Sequence, residues 1–335
     1  MTSTPSPSRP RIALTMGDPS GIGPELAVKL LADPANLARA DVLVLASEAE
    51  VQSAASEAGV QVSLAASPDE QHAAVVGSDL ADCSVPRGQV SKEAGERVKS
   101  DLLKALGMYK DGEVDGIMFT PLNKTALHLA GMNEEDELRW FAMELGYEGT
   151  TSELNFVPGL TTSRVTSHVA LKDVAEKINA RSVLEAIRLL HSVVRDSGIE
   201  APRLAVCALN PHAGENGQFG REEIDHIAPG VALAQQEGID ASGPYPCDTI
   251  FIKARDGEYD GVVTMYHDQG QIAMKLMGFD QGVTVQGGLP VPIATPAHGT
   301  AYEIVGKGIA HTGPTQRAFD IITALGQRTA ADRRS

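Results

Sequence analysis

Short apolar runs that end in polar residues, separated by longer segments of helical period, constrain this chain more than any other feature. "RIALTMG" (11–17), "DVLVLAS" (41–47), "DGIMFTPLNK" (115–124), "SRVTSHVAL" (163–171), "PRLAVCALNPHAGENG" (202–217) and "DGVVTMYHDQG" (260–270) each read as a strand or a strand running into a polar turn. Between them, "GPELAVKLLAD" (23–33) and "GERVKSDLLKALGMYKDGEV" (95–114) read as helices, the first with Pro24 in its opening turn. Such alternation implies an α/β protein with mostly parallel sheets and helices on both faces. Ligands of these sheets gather beyond the carboxyl ends of the strands. The polar residues of this chain sit at those ends.

A length of 335 residues is too great for one comfortable core, so two domains are expected, although no linker marks the boundary. The net charge of -16 and a pI near 5.0 argue against a nucleic-acid partner, which would require basic patches. A small anionic substrate remains compatible if cations gather locally. Cys83, Cys207 and Cys247 are odd in number and widely spaced. They build neither a disulfide framework nor a thiolate zinc motif, which fits a reducing cytoplasm. The first ten residues, "MTSTPSPSRP", are polar and proline-rich, so they read as a disordered tail without the apolar core of a signal peptide. No apolar run approaches ~18 residues, so no membrane span is expected.

His168, His212 and His267 each follow an expected strand. Imidazole suits zinc, cobalt or nickel, and three protein ligands with an open position typify a catalytic metal site. A single loop histidine is more often an ordinary hydrogen-bonding residue, and His72, His128, His191, His226 and His311 are read that way. Asp268, beside His267, and Asp248, in "CDTIF", are candidates for orienting a ligand or moving a proton. The alternative for Asp248 is a turn cap ahead of a strand "TIFIK".

Two glycine-rich segments stand apart from the common nucleotide fingerprints. "MGDPSGIGPE" (16–25) has neither Walker A nor GxGxxG spacing, so Gly21 and Gly23 read as permitting a tight turn and close packing. "PAHGTAYEIVGKG" (296–308) offers small residues against which a planar heterocycle could lie, followed by a helix expected from near Thr300.

Taken together, "TMGDPSGIGPE", "TPLNK", "SHVAL", "NPHAGENGQFGREE", "DTIF", "YHDQG" followed by Lys275, and "HGTAYEIVGKG" resemble the 4-hydroxythreonine-4-phosphate dehydrogenase family in order and spacing, over about residues 11 to 325. The resemblance implies an isopropylmalate-dehydrogenase-like fold of two α/β/α domains with a cleft between them. Residues 11–130 with 290–335 would form the cofactor-side domain, and 131–289 the domain of metal ligands and dimer interface. It further implies an NAD-dependent dehydrogenase, with NADP as the alternative. A divalent metal would be held by His168, His212 and His267: zinc first, with cobalt, magnesium, manganese or nickel as alternatives. The family's active sites are shared in a homodimer, two histidines coming from one subunit and one from the other, so His267 would reach across. A hydroxyl β to a carboxylate is oxidised and CO₂ is then lost. Lys275 would hold the anionic end of the substrate, and Asp248 or Asp268 would accept the proton. The "HGTA…GKG" segment is similar to the adenosine loop of isocitrate and isopropylmalate dehydrogenases, which nominates His298, Gly299, Thr300, Ala301 and Gly306 as cofactor contacts.

The chain departs from the family pattern at the substrate. Members acting on phosphorylated hydroxythreonine carry Gly-His-Thr-Glu where this chain has "EEDELRWFA" (134–142), so Glu137 and Leu138 replace a His-Thr pair. Thr284 and Ile293 stand where an asparagine and an arginine are found. Losing an arginine and gaining an acid removes charge-assisted bonds of roughly 1.5–3 kcal/mol each. The expected substrate is therefore a small carboxylate other than phosphohydroxythreonine, with Arg139, Arg11 or Lys124 as replacement cations. The alternatives are 4-hydroxythreonine-4-phosphate itself, a phosphorylated sugar acid, or a terephthalate-type cis-dihydrodiol, which apolar Leu138, Trp140, Phe141 and Ile293 would favour. The Trp-Phe pair reads more simply as helix packing. A non-catalytic metabolite-binding descendant would show decayed metal ligands, whereas all three are present.

Overall fold

The computed structural model describes residues 9–81, 84–278 and 281–334. The chain divides into two compact units, Met1–Glu148 with Leu289–Ser335, and Gly149–Gly288. Both are built on mostly parallel sheet, as the alternation of strand and helix implies.

The first unit contains strands β1 (Arg11–Thr15), β2 (Asp41–Leu45), β3 (Leu64–Ala65), β4 (Ala73–Val75) and β5 (Gly116–Phe119), with helices α1 (Gly23–Leu31), α2 (Pro34–Leu37), α3 (Glu48–Ala58), α4 (Lys92–Lys110), α5 (Lys124–Leu129) and α6 (Glu137–Leu145). Its paired strands are parallel in the order β3-β4-β2-β1-β5, and a late strand from the chain's end joins them beside β5. The chain winds one way from β1 and returns to place β5 on its other side. The carboxyl ends of β1 and β5 thus flank a topological switch point, where open α/β sheets bind ligands.

Local chemistry sets the helix boundaries. Ser47 and Glu50 close a capping box on α3, while Ser91 and Asp136 cap α4 and α6 through N–H groups of their first turns. The core gathers Leu102, Leu106, Ile117, Phe119, Trp140 and Phe141. Residues 131–148, assigned by the sequence to the second domain, fold with this unit because Met132, Trp140 and Phe141 are buried in that core.

The second unit contains β6 (Ser152–Val157), β7 (Leu160–Arg164), β8 (Leu204–Cys207), β9 (Ala241–Tyr245), β10 (Gly261–Thr264) and β11 (Val283–Gly287), with α7 (Val174–Lys177), α8 (Ala180–Asp196), α9 (Ala228–Gln236), α10 (Cys247–Arg255) and α11 (His267–Gly278). The strand order is β11-β6-β7-β10-β8-β9. The pairs from β7 to β9 are parallel, and the β11–β6 and β6–β7 pairs are antiparallel. Helix α8 buries Val183, Ala186, Ile187, Leu190 and Val194, one stripe at helical spacing. The chain then re-enters the first unit through β12 (Ile293–Pro296) and α12 (Gly313–Asp332).

Two local expectations are corrected. "TIFIK" is the body of helix α10, not a strand, because Ile250, Phe251 and Ala254 bury one helical face in the second unit's core. No long helix starts near Thr300. A single tight turn, Tyr302–Ile304, is stopped by Gly306 and Gly308 at positive φ, and α12 begins only at Gly313. The expected tail falls largely outside the described residues; of residues 9 and 10, Arg9 is ion-paired with Asp41 and Pro10 is buried.

Candidate active site

In the second unit, β7, β10, β8 and β9 lie side by side and parallel, so their carboxyl ends share one edge. His168 follows β7, His267 follows β10, His212 follows β8 and Asp248 follows β9. Hydrogen bonds draw the first two together. Val165 donates its N–H to the Thr264 carbonyl (2.9 Å), and Thr166 donates both N–H (3.1 Å) and hydroxyl (2.8 Å) to the Met265 carbonyl. Buried Arg164 braces the same turn, donating to Ser167 and to Glu153. The His168 and His267 rings end with centroids 5.9 Å apart.

That spacing suits one shared ion. Metal–nitrogen distances of about 2.0–2.1 Å in tetrahedral geometry place two ligating imidazoles roughly 5–6 Å apart, centre to centre. Nδ1 of His267 lies 2.7 Å from the Asp268 carboxylate, which leaves Nε2 for a ligand. Gln269 ties this helix start to β8: its Nε2 donates to the Ala208 carbonyl, and its Oε1 accepts from Met265 N–H.

His212 lies on a separate loop of unusual backbone. Residues His212, Ala213, Gly214, Glu215 and Asn216 all have positive φ, and the His212 side chain is largely exposed, 3.9 Å from Glu215 and edge-on to Phe219. Glu223, buried on the far side, organises this loop. One carboxylate oxygen accepts from the N–H groups of Leu209 (2.8 Å) and Asn210 (2.7 Å), and the other from the Asn210 amide (3.0 Å). A Cβ on Gly214 would stand 2.7 Å from that carboxylate, so this position requires glycine on both steric and conformational grounds. Among the described residues, no group of three or more histidine, cysteine, aspartate or glutamate side chains is placed to hold a metal within one chain. The single chain therefore pairs His168 with His267, whereas the family resemblance grouped His168 with His212.

Asp268 and Lys275 are seven residues apart on α11, about two turns at ~3.6 residues per turn, and so share one face. Lys275 and Asp248 are exposed, the latter in the first turn of α10. The thiols of Cys207 and Cys247 lie close behind, 3.6 Å apart.

In the first unit, the two glycine segments form one structure. Tyr302 donates its hydroxyl to Asp18 (2.7 Å), and Ile22 N–H bonds the Thr300 carbonyl (3.0 Å). Burial and the Asp18 carboxylate push the Tyr302 phenol well above its ordinary range. A Cβ on Gly21 would meet Thr300 at 2.8 Å, which accounts for that glycine. Ala301 is left-handed, Gly299 has no neighbour within 4 Å of where a Cβ would be, and buried Nε2 of His298 has no hydrogen-bond partner. Burial holds the His298 imidazole below its usual pKa, opposed by the Gly299 carbonyl and reinforced by His311. Exposed Gly299 and the unpaired His298 nitrogen fit a loop that receives a planar, hydrogen-bonding group. A cavity of about 450 Å³ beside the β1 turn is lined by Met16, Gly17, Pro19, Ser47 and Arg87, among others.

The positions proposed to contact substrate separate. Ile293 is fully buried in the first unit's core and Leu138 is 2% exposed, so both pack within the protein and neither offers a contact surface. Trp140 and Phe141 likewise pack on each other at 5.2 Å between centroids. Thr284 sits in β11 opposite Asn155. Arg139 is exposed on α6, and Arg11 is engaged by Asp115 and the Gly112 carbonyl. Glu137 faces Lys124 at 3.6 Å in a cavity of about 250 Å³ whose lining includes Glu134, Glu135 and Asp136. Sequence reasoning missed Glu223, Gln269 and the Tyr302–Asp18 bond, because none lies in a recognisable spacing with its partner.

Parallel sheets with titratable groups collected at their carboxyl ends define an α/β enzyme. The family model of pyridoxal phosphate biosynthetic protein PdxA matches residues 37–322, and the chain belongs to this family. A Pseudomonas aeruginosa protein named as a candidate second 4-hydroxythreonine-4-phosphate dehydrogenase is 48% identical over 97% of this chain and 99% of its own. A D-threonate 4-phosphate dehydrogenase of Cupriavidus necator is 38% identical, covering 90% of this chain and 92% of its own. Among solved structures, 4-hydroxythreonine-4-phosphate dehydrogenase from Klebsiella pneumoniae superposes with a TM-score of 0.80 at 33% identity, covering 95% and 98% of the two chains. A terephthalate 1,2-cis-dihydrodiol dehydrogenase from Burkholderia xenovorans does so with 0.71 at 27%, covering 94% and 98%. The chain is thus an oxidoreductase of the dehydrogenase type. No helix among the described residues is long and apolar enough to cross a membrane.

Proposed function

We propose that this protein is a cytoplasmic, NAD- and divalent-metal-dependent dehydrogenase that oxidises a hydroxyl β to a carboxylate and releases CO₂, working as a homodimer. The observation that carries the reading is the His168–His267 pair at 5.9 Å, with Asp268 fixing the His267 ring. When bound, the metal supplies Lewis acidity and the nicotinamide accepts hydride. Zinc suits the imidazole donors best. Lys275 anchors the substrate carboxylate from the face of α11 that also carries Asp268, and Asp248 accepts the hydroxyl proton. His298 to Ala301, with Gly306, receive the adenosine end of the cofactor.

Sharing of the site between two copies is supported by the separation of His212 from the other two histidines within one chain. Exposed apolar side chains on the same unit, Leu171, Phe219, Ile252, Ile272 and Leu276, supply surface for a second copy to cover. Mixing inactive variants tests this. An H212A chain mixed with an H168A/H267A chain regains activity if His212 crosses. An H267A chain mixed with an H168A/H212A chain regains it if His267 crosses. Recovery in neither mixture overturns the shared site.

The substrate is a small hydroxy acid without the phosphate of 4-phosphohydroxythreonine. Four carboxylates around the Glu137 cavity would repel a phosphate dianion, and Lys124 is already paired there. A second reading, a phosphorylated acid such as D-threonate 4-phosphate, is favoured by the relatives' names. A screen of hydroxy acids with and without phosphate, scored by NADH formation, separates them. Turnover confined to phosphorylated substrates refutes the first, and turnover surviving exhaustive chelation refutes the metal.

A further inference from the structure

The dehydrogenase reading makes no use of the two thiols behind the histidine edge. Cys207 ends β8, fully buried, and half-buried Cys247 opens α10, with their sulfurs 3.6 Å apart. Strand β8 pairs in parallel with β9, Cys207 opposite Tyr245, and Cys247 follows two residues beyond that partner at the start of α10, so sheet register sets the approach. Free cysteines are commonly buried as small apolar residues, but that role asks for no second sulfur at this distance. We propose that Cys207 and Cys247 form a peroxide-sensitive thiol pair that closes reversibly into a disulfide, tethering the first turn of α10 to the end of β8.

The two positions are chemically unequal in the way such a pair requires. Cys247 is the more accessible and sits at a helix N-terminus, where a thiolate is favoured. Its pKa is lowered by the hydrogen bond it shares with Cys207, against burial and the neighbouring Asp248 charge. Cys207 is raised by the same bond and by its burial, so it stays protonated while its neighbour reacts. In the first step the Cys247 sulfur attacks hydrogen peroxide: an S–O bond forms, the O–O bond breaks, and hydroxide leaves as water after taking a proton. The Cys207 sulfur, giving up its proton, then attacks the Cys247 sulfur. An S–S bond forms, the S–O bond breaks, and a second water departs. Two thiols have lost two electrons and peroxide has gained them. Dithiothreitol reverses the change.

Peptide mapping of the reduced full-length protein after hydrogen peroxide treatment reads the outcome. A Cys207–Cys247 cross-linked peptide lighter by two hydrogens is expected, reversed by dithiothreitol, with the free-thiol titre falling from three to one. Amide exchange in residues 247–255 should slow in the oxidised form. C207S should leave Cys247 as a sulfenic acid trapped by dimedone, and C247S should leave buried Cys207 reduced. The proposal is overturned if Cys247 oxidises in the wild type without linking to Cys207. A linkage to Cys83 or to a second chain, or an unchanged exchange rate in the linked protein, also overturns it. None of these readouts depends on the enzyme's substrate or metal.

Discussion

Glu223 offers the sharpest test of how the His212 loop is built. The residue is 3% exposed, and its carboxylate accepts three hydrogen bonds, from two backbone N–H groups and one amide, at 2.7–3.0 Å. Each is charge-assisted and worth roughly 1.5–3 kcal/mol. Leu209 and Asn210 are only half-buried, so water replaces part of each bond in Glu223→Ala and the low end applies, a loss of about 4 kcal/mol. For a unit of this size, each kcal/mol shifts melting by roughly 2–4 °C, so Tm should fall by about 8–16 °C. Glu223→Gln keeps an oxygen for the two backbone donors but turns an amide toward the Asn210 amide, and should lose about 1.5 kcal/mol. Thermal unfolding ranks the three proteins, and cobalt titration followed by visible absorbance reads the loop directly. Affinity should weaken by about 10–100-fold in Glu223→Ala, the range seen when groups supporting metal ligands are removed. An alanine variant that melts within ~2 °C of wild type and binds cobalt equally well would refute the reasoning.

Elsewhere the expectations are simpler. Trp140→Ala empties a fully buried site in the first unit's core and should cost about 3–5 kcal/mol in chemical denaturation. Lys275→Met, at an exposed position, should leave Tm unchanged while raising KM roughly 10–100-fold, the equivalent of one charge-assisted bond. His298 is held below its ordinary pKa, mainly by burial, so its stabilising contribution is complete above about 6.5 and is lost as pH falls through its lowered folded value. Stability measured from pH 7.5 down to ~5 should therefore drop less in His298→Gln than in wild type. Equal slopes would show that His298 does not govern that window.

Much of the candidate site could be read from spacing along the chain. His168, His212, His267 and Asp268 were legible as polar residues after apolar runs and Asp248 as a carboxylate in "CDTIF", and all five lie beyond the strands of one sheet edge. The substrate contacts were less accessible. Leu138 and Ile293 were assigned by correspondence with motif positions, and that correspondence carries no information about burial; both turned inward. "TIFIK" reads equally as strand or helix because a run of only three apolar residues, Ile250 to Ile252, satisfies both periods. Cys207 and Cys247 looked unrelated at a separation that only parallel strand pairing closes.

By itself the sequence determined the alternation of strand and helix, the caps that start α3, α4 and α6, and the motif order that marks the family. These are local properties, governed by side-chain period and by hydrogen bonds within a few residues. Tertiary structure alone decided the order β7-β10-β8-β9, which sets four distant segments on one edge and brings His168 to His267. It also decided that Glu223 should hold the His212 loop. Strand order depends on which apolar faces find one another across long loops, a competition among non-local contacts that no short window of residues records.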